Sequence, residues 1–256
     1  MKPSLETKPS SSIKTGDVIR LGDHILVCGD AAKIDLAALC PRPIDLVLTD
    51  PPYGVDYVAS KRGIGHVSVD KDIANDGFAT EMEYAAFSVS WLKPALPFLA
   101  EYNSLYIFNS DKMAWALMQA LMDLKVKVGQ VIVWVKSQPV MSRLDYLSQH
   151  EFIVYGWKGK HVFRRGKGKS VFFAPKPVRS KLHPTMKPIS ILRQIILNST
   201  KTGGLVYDPF GGSGSTLIAC EHTKRSCVMV EIDPDYCETI ARRWEKLTGH
   251  GRELIR

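Results

Sequence analysis

The chain has no run of about 18 apolar residues, which removes a membrane-spanning helix from the reading. Cysteine is sparse. The five present (Cys28, Cys40, Cys220, Cys227 and Cys237) show no CxxC spacing, so they read as core thiols in a reducing cytoplasm, with no metal site or disulfide framework. No Lys-Ser or Lys-Thr pair closes the glycine-rich turn Gly211–Gly214, so that turn is not a phosphate-cradling Walker loop. Internal repeats and an evident domain linker are also missing. What remains is 256 residues with 45% hydrophobic content, enough for one α/β domain with a substantial core. The polar, Ser/Lys-rich residues 1–15 lack the apolar stretch of a secretory signal and read as a disordered tail, leaving 16–256 as the domain.

One further absence is local. From Lys158 to Leu182 there is no Asp or Glu, while Lys158, Lys160, Arg164, Arg165, Lys167, Lys169, Lys176, Arg179 and Lys181 crowd together with Phe163, Phe172 and Phe173 between them. With a formal net charge of +8, this favours a polyanionic partner, although charge runs of this kind also serve as solvated faces.

The most informative positive feature is Asp50-Pro51-Pro52-Tyr53, directly behind the apolar run Leu46-Val47-Leu48. Ligands of open α/β sheets sit at the carboxyl ends of strands. The prolines lack N–H donors and fix φ, so their carbonyls point away from any ladder. Carboxylate, carbonyl and ring together suit a flat ring that bears an NH2 group. Far downstream, Leu205-Val206-Tyr207-Asp208 runs into Pro209-Phe210-Gly211-Gly212-Ser213-Gly214, with a helix expected from Thr216 to about Thr223. A second strand, Cys227 to Val230, ends at Glu231, 19 residues after Gly212, where an acidic side chain grips ribose hydroxyls in nucleoside-binding βαβ units. The series points to a nucleoside-containing cofactor.

Periodicity adds strands at Ile25–Cys28, Leu105–Phe108, Val131–Val135 and Phe152–Tyr155. Helices are expected from Phe78 to Pro94, where proline interrupts the pattern, and over Met113–Leu124, Ile189–Ile196 and Pro234–Leu247. No convincing helix separates Val135 from Phe152, which predicts an antiparallel edge hairpin on a mostly parallel sheet.

The pair formed by Asp50-Pro51-Pro52-Tyr53 and Asp208-Pro209-Phe210-Gly211-Gly212-Ser213-Gly214 resembles the DNA amino-methyltransferases, and His183-Pro184-Thr185-Met186-Lys187-Pro188 resembles a third motif of that family. The catalytic motif precedes the cofactor motif, as in the family's beta group. Only Ser215, where Thr is usual, departs from the pattern. The resemblance covers about Gly16 to Thr248. It implies a circularly permuted, Rossmann-like S-adenosylmethionine-dependent methyltransferase fold with a seven-stranded sheet, in which the strand of Asp208 lies beside that of Asp50. It implies methyl transfer to the N6 amine of a flipped-out adenine, with catalytic residues Asp50, Pro51, Pro52 and Tyr53. The cofactor, S-adenosyl-L-methionine, would be held by Asp30, Asp208, Phe210, Gly212, Ser213, Gly214, Glu231, His183, Thr185 and Lys187. Asp30 reads equally as a turn residue after Gly29.

Double-stranded DNA is the implied partner, with Lys61, Arg62, Arg164, Arg165, Lys167 and Lys169 as contacts and a target-recognition insertion at about 137–182. Tyr146 to His150 lie just upstream of the basic stretch. The segment from Gly54 to Gly77 reads as a lid, a groove-facing loop or a long surface loop. Cytosine-N4 methylation and a catalytically inactive DNA-binding module are the alternatives. A homodimer, a cognate restriction enzyme and a cytoplasmic setting in a bacterium, archaeon or phage host complete the implied picture.

Overall fold

The computed structural model describes residues 12–53, 80–140, 145–175 and 186–256. The first strands form a hairpin, β1 (Val18–Leu21) and β2 (His24–Cys28), closed by Gly22-Asp23. Gly22 takes φ +59°, as a two-residue hairpin turn requires, and a side chain there would press on Trp244 at 2.9 Å. A short helix α1 (Leu36–Leu39) is capped by Asp35 and leads to β3 (Ile44–Thr49). Helix α2 (Glu81–Ala95) opens on a capping box between Thr80 and Glu83. It runs through Pro94, because a proline in the final turn forfeits a single helical hydrogen bond; the expected stop at Pro94 therefore moves to Ala95.

Next come β4 (Leu99–Asn109), α3 (Ala114–Asp123), β5 (Lys127–Val135), β6 (His150–Trp157) and β7 (Val171–Phe173). Then follow α4 (Ile189–Ser199), β8 (Leu205–Asp208), α5 (Ser215–Thr223), β9 (Ser226–Glu231), α6 (Pro234–Thr248) and β10 (Glu253–Leu254).

All ten strands form one sheet in the order β10-β1-β2-β9-β8-β3-β4-β6-β5-β7. The inner seven, from β2 to β5, correspond to the expected sheet. Strands β2, β9, β8, β3 and β4 are mutually parallel, and β6 runs antiparallel to both β4 and β5. The expected hairpin is present, but β7 pairs parallel to β5 and takes the edge. Every residue of β8 and β9 is buried, as befits strands covered on both faces. Alternation within β3 divides the core: Leu46 and Leu48 face the layer of α4, α5 and α6, while Ile44 and Val47 face α2 and α3.

The expected tail also shortens. Ile13 is 5% exposed in the first of these cores, and Ser12 donates to Glu238, so packed chain begins by residue 12. No helix among the described residues is long and apolar enough to cross a membrane.

Candidate active site

The registers Leu46↔Val206 and Val47↔Tyr207 place β8 beside β3. From β8 the chain proceeds through α5 to β9 on one side, and from β3 through α2 to β4 on the other. This divergence creates a crevice at the carboxyl edge, the preferred ligand site of such sheets. Asp50 and the turn after Asp208 meet there, although 158 residues separate them.

The β8 turn is built by its own neighbours. Asp208 is 2% exposed, and its Oδ1 accepts from Thr49 Oγ1 at 2.7 Å and from the Phe210 amide at 3.1 Å. It thereby locks the turn to β3, and burial pushes its carboxyl up to about 7. Phe210 meets Trp91 of α2 edge-on at 5.2 Å. Arg243 of α6 donates to the Ser213 carbonyl. A Cβ on Gly211 would lie 2.9 Å from Met229, and one on Gly214 3.0 Å from Ile240. These two glycines are therefore required by packing within the fold and not only by ligand approach. Gly214, at φ +81°, caps α5, so the free N–H groups of that helix open beside the crevice.

Glu231 ends β9 one strand away. Its Oε2 accepts from Gly212 N at 2.7 Å and its Oε1 from Asp233 N at 2.9 Å. The 19-residue spacing seen in the sequence is thus a direct contact. Burial pushes this carboxyl up to about 7. Each oxygen retains a lone pair for a hydroxyl donor. Asp30, beyond β2, forms a turn with Ala32 N at 3.0 Å and pairs with Lys33 at 3.1 Å, which fits its turn reading and leaves the carboxylate half-buried on the same edge. Asp30, Glu231 and the Phe210–Gly214 turn follow or end the adjacent parallel strands β2, β9 and β8, and this donor and acceptor set fits a nucleoside with free hydroxyls.

Asp50 closes the other side of the crevice. Pro51 is buried, and Tyr53 packs partly against the α2 face. Lys187, 7% exposed, ion-pairs with Asp50 Oδ2 and lies 3.2 Å from Glu151 Oε2. Lys187 was expected at the cofactor; in the structure its ammonium is seated on the Asp50 carboxylate. Asp50 Oδ1 is buried and makes no hydrogen bond among the described residues. Burial pushes the Asp50 carboxyl up to about 6, with Lys187 opposing the rise and Glu151 adding to it. Asn109, at the end of β4, donates to the Tyr84 hydroxyl at 2.7 Å and keeps its own Oδ1 free of partners among the described residues.

Two participants escaped the sequence reading. Glu151 is the second residue of β6, which starts at the edge where β3 ends, and Lys136 follows β5 and bonds Glu151 at 2.9 Å. A lone acid and a lone base at the tips of two apolar strands were the available signal. Tyr146, 92% exposed, lies on the same edge just before β6.

The basic stretch divides. The Arg164 amide donates to the Asn198 carbonyl at the far end of α4, and Arg164 and Arg165 sit close enough to oppose the charge on Arg225, just before β9. The Arg164 backbone therefore lies toward the edge opposite Asp50, about 20 Å away along strands of six residues. Lys167 and Lys169 climb the outer side of the sheet. With Arg165, Phe172, Gln194 and Asn198 they line a groove of about 520 Å³ between β7 and α4. Lys61, Arg62, His183 and Thr185 lie outside the described residues.

Several relatives share this architecture. M.HpaI, a type II methyltransferase of Haemophilus parainfluenzae, is 27% identical over 248 residues, spanning 86% of this chain and 74% of that protein. M2.MboI of Moraxella bovis is 28% identical over 228 residues, spanning 80% and 82%. Among solved structures, the cytosine-N4-specific PvuII DNA methyltransferase superposes with a TM-score of 0.70 at 16% identity, over 89% of this chain and 91% of that one. TTHA0409 of Thermus thermophilus complexed with S-adenosyl-L-methionine gives 0.63 at 18%, over 87% and 93%. The complex of M1.HpyAVI with the same cofactor gives 0.61 at 23%, over 85% and 98%. These structures establish the fold. Residues 44–242 match the DNA methylase family of the N6/N4 type, so the chain belongs to the DNA methyltransferases that modify adenine N6 or cytosine N4.

Proposed function

We propose that this protein methylates the N6 amine of a flipped-out adenine in double-stranded DNA, with S-adenosyl-L-methionine as methyl donor. One observation carries the reading. Asp50 has one oxygen held by Lys187 and the other buried and without a partner among the described residues, at the strand end beside the turn that follows Asp208. A buried acceptor of this kind needs a donor, and an exocyclic NH2 supplies one.

The cofactor brings an already electrophilic methyl group, so the task of the chain is orientation. Asp50 Oδ1 accepts one amine hydrogen and turns the nitrogen lone pair toward the nucleoside site. The amine nitrogen would take the methyl group that a bound cofactor supplies, the sulfur keeping the electron pair of the broken bond. The nitrogen then sheds one proton, for which Asp50 is the nearest base. Tyr53 stacks on the base, and Pro51 offers its carbonyl. Glu231 receives ribose hydroxyls, while Asp208 acts through the Phe210 amide and keeps the turn in place. A target base reaches Asp50 only outside the duplex stack, at a cost of a few kcal/mol.

Asp rather than Ser at position 50 favours adenine by family resemblance. Unmethylated genomic DNA treated with the protein and digested to nucleosides is expected to yield N6-methyladenine as the main product by mass spectrometry. Predominant N4-methylcytosine would overturn the base assignment, and unmodified DNA would favour an inactive binding module.

Recognition belongs to the 137–182 region, including the Tyr146 edge and the groove beside β7. Lys167→Gln with Lys169→Gln should reduce the slope of log K against log salt by roughly one unit for each phosphate no longer neutralised. Arg164→Gln, at the far edge, should leave it unchanged. The reverse pattern would move the DNA to the opposite side of the sheet. A homodimer and a cognate restriction enzyme are further partners that this reading accommodates.

A further inference from the structure

We propose that Glu151, backed by Lys136, is a positioning residue for methyl transfer: it shares Lys187 with Asp50 and so sets how firmly Lys187 holds the catalytic carboxylate. The inference rests on the proposed amine methylation and extends it to residues outside the three motifs.

The four groups form a chain of alternating charge. Lys136 Nζ lies 2.9 Å from Glu151 Oε1, Lys187 Nζ lies 3.2 Å from Glu151 Oε2, and Lys187 Nζ also binds Asp50 Oδ2. Lys136 is 6% exposed and Lys187 7%, so water screens neither. Their ammonium groups rest over Trp134 at 5.5 Å and Phe108 at 5.2 Å, and these two rings pack edge-on beneath them. The antiparallel course of β6 makes this possible, because its first residues emerge where the parallel strands end.

Two cations and two carboxylates balance, and the balance has a chemical consequence. A lysine devoted to Asp50 alone would neutralise it and draw the carboxylate away from an incoming amine. Shared with Glu151, Lys187 fixes Oδ2 while Asp50 keeps enough negative charge at Oδ1 to accept the amine hydrogen. Burial would raise Glu151, but Lys187 and Lys136 outweigh it and hold the carboxyl below its ordinary value, so Glu151 stays charged. Among the described residues, the other ionisable groups close enough to act on Asp50 are Asp208 from β8 and Tyr84 from α2.

The two outer members should act on Asp50 in opposite senses, which a merely structural ion pair would not do. Glu151→Gln removes a negative neighbour and leaves Lys187 wholly to Asp50. Single-turnover methyl transfer should then lose about tenfold or more at its plateau, and its acid limb should move to lower pH. Lys136→Met leaves Glu151 with Lys187 alone and draws Lys187 away, so the acid limb should move to higher pH. S-adenosylmethionine affinity, measured by calorimetry, should stay within about twofold in both and reports on folding. Limbs that coincide with wild type, or that shift in the same direction, overturn the proposal. Lys136→Met decides alone if Glu151→Gln fails to fold. Absence of DNA methylation by the wild-type protein would sink the proposed function as well, whereas wild-type turnover with unmoved limbs sinks this inference only.

Discussion

Asp50→Ala is expected to lower single-turnover methyl transfer by on the order of 10³-fold while S-adenosylmethionine binds with nearly wild-type affinity. The carboxylate is proposed to serve the base, since its Oδ1 is buried and has no hydrogen-bond partner among the described residues, whereas the proposed nucleoside site is built from the ends of β8, β9 and β2. The variant also leaves Lys187 buried with Glu151 as its remaining partner, so a modest change in melting temperature should accompany the loss. Asp50→Asn separates the two effects. It keeps the volume and an acceptor oxygen but neither the charge nor the ability to take the amine proton, and it should remain at least about 10²-fold slow. Near wild-type turnover in either variant would remove Asp50 from the chemistry.

The second large effect is expected at the nucleoside site. Glu231→Ala should weaken S-adenosylmethionine binding by roughly 10- to 100-fold, the equivalent of one or two charge-assisted hydrogen bonds. It also frees the Gly212 and Asp233 amides that Glu231 now holds, so the turn and the start of α6 loosen together. Gly212→Val should match or exceed this loss, because φ +51° is hostile to a branched side chain. Calorimetry on folded protein measures both. Unchanged affinity in the two variants, or preferential binding of ATP or a nicotinamide dinucleotide, would put the nucleoside site elsewhere.

The parts of this site that were legible in the sequence are those written in consecutive residues. A strand followed by Asp50-Pro51-Pro52-Tyr53, and another followed by a glycine turn and an acid 19 positions on, state their geometry locally. Their adjacency came from family resemblance, and the β3–β8 pairing agrees with it. What the sequence hid depends on register or on very short elements. β1, β7 and β10 span four, three and two residues, too few for alternation to register. Glu151 and Lys136 are fifteen residues apart and meet only once β5 and β6 are aligned Trp134 to Glu151. The basic stretch had the right composition for a polyanion, but charge content does not say which edge of the sheet a segment follows. Arg164 follows the edge away from Asp50 because the loop after β6 is tied to the end of α4.

The central claim is that Asp50 presents an exocyclic amine of a DNA base to the methyl group of S-adenosylmethionine. Its most direct test is the fate of a labelled methyl group. Wild-type protein is incubated with methyl-labelled cofactor and DNA of mixed sequence, and the DNA is digested and separated into nucleosides. The account predicts label on an exocyclic base nitrogen, absent from the Asp50→Ala reaction. Label in 5-methylcytosine, or none in any nucleoside, would contradict it.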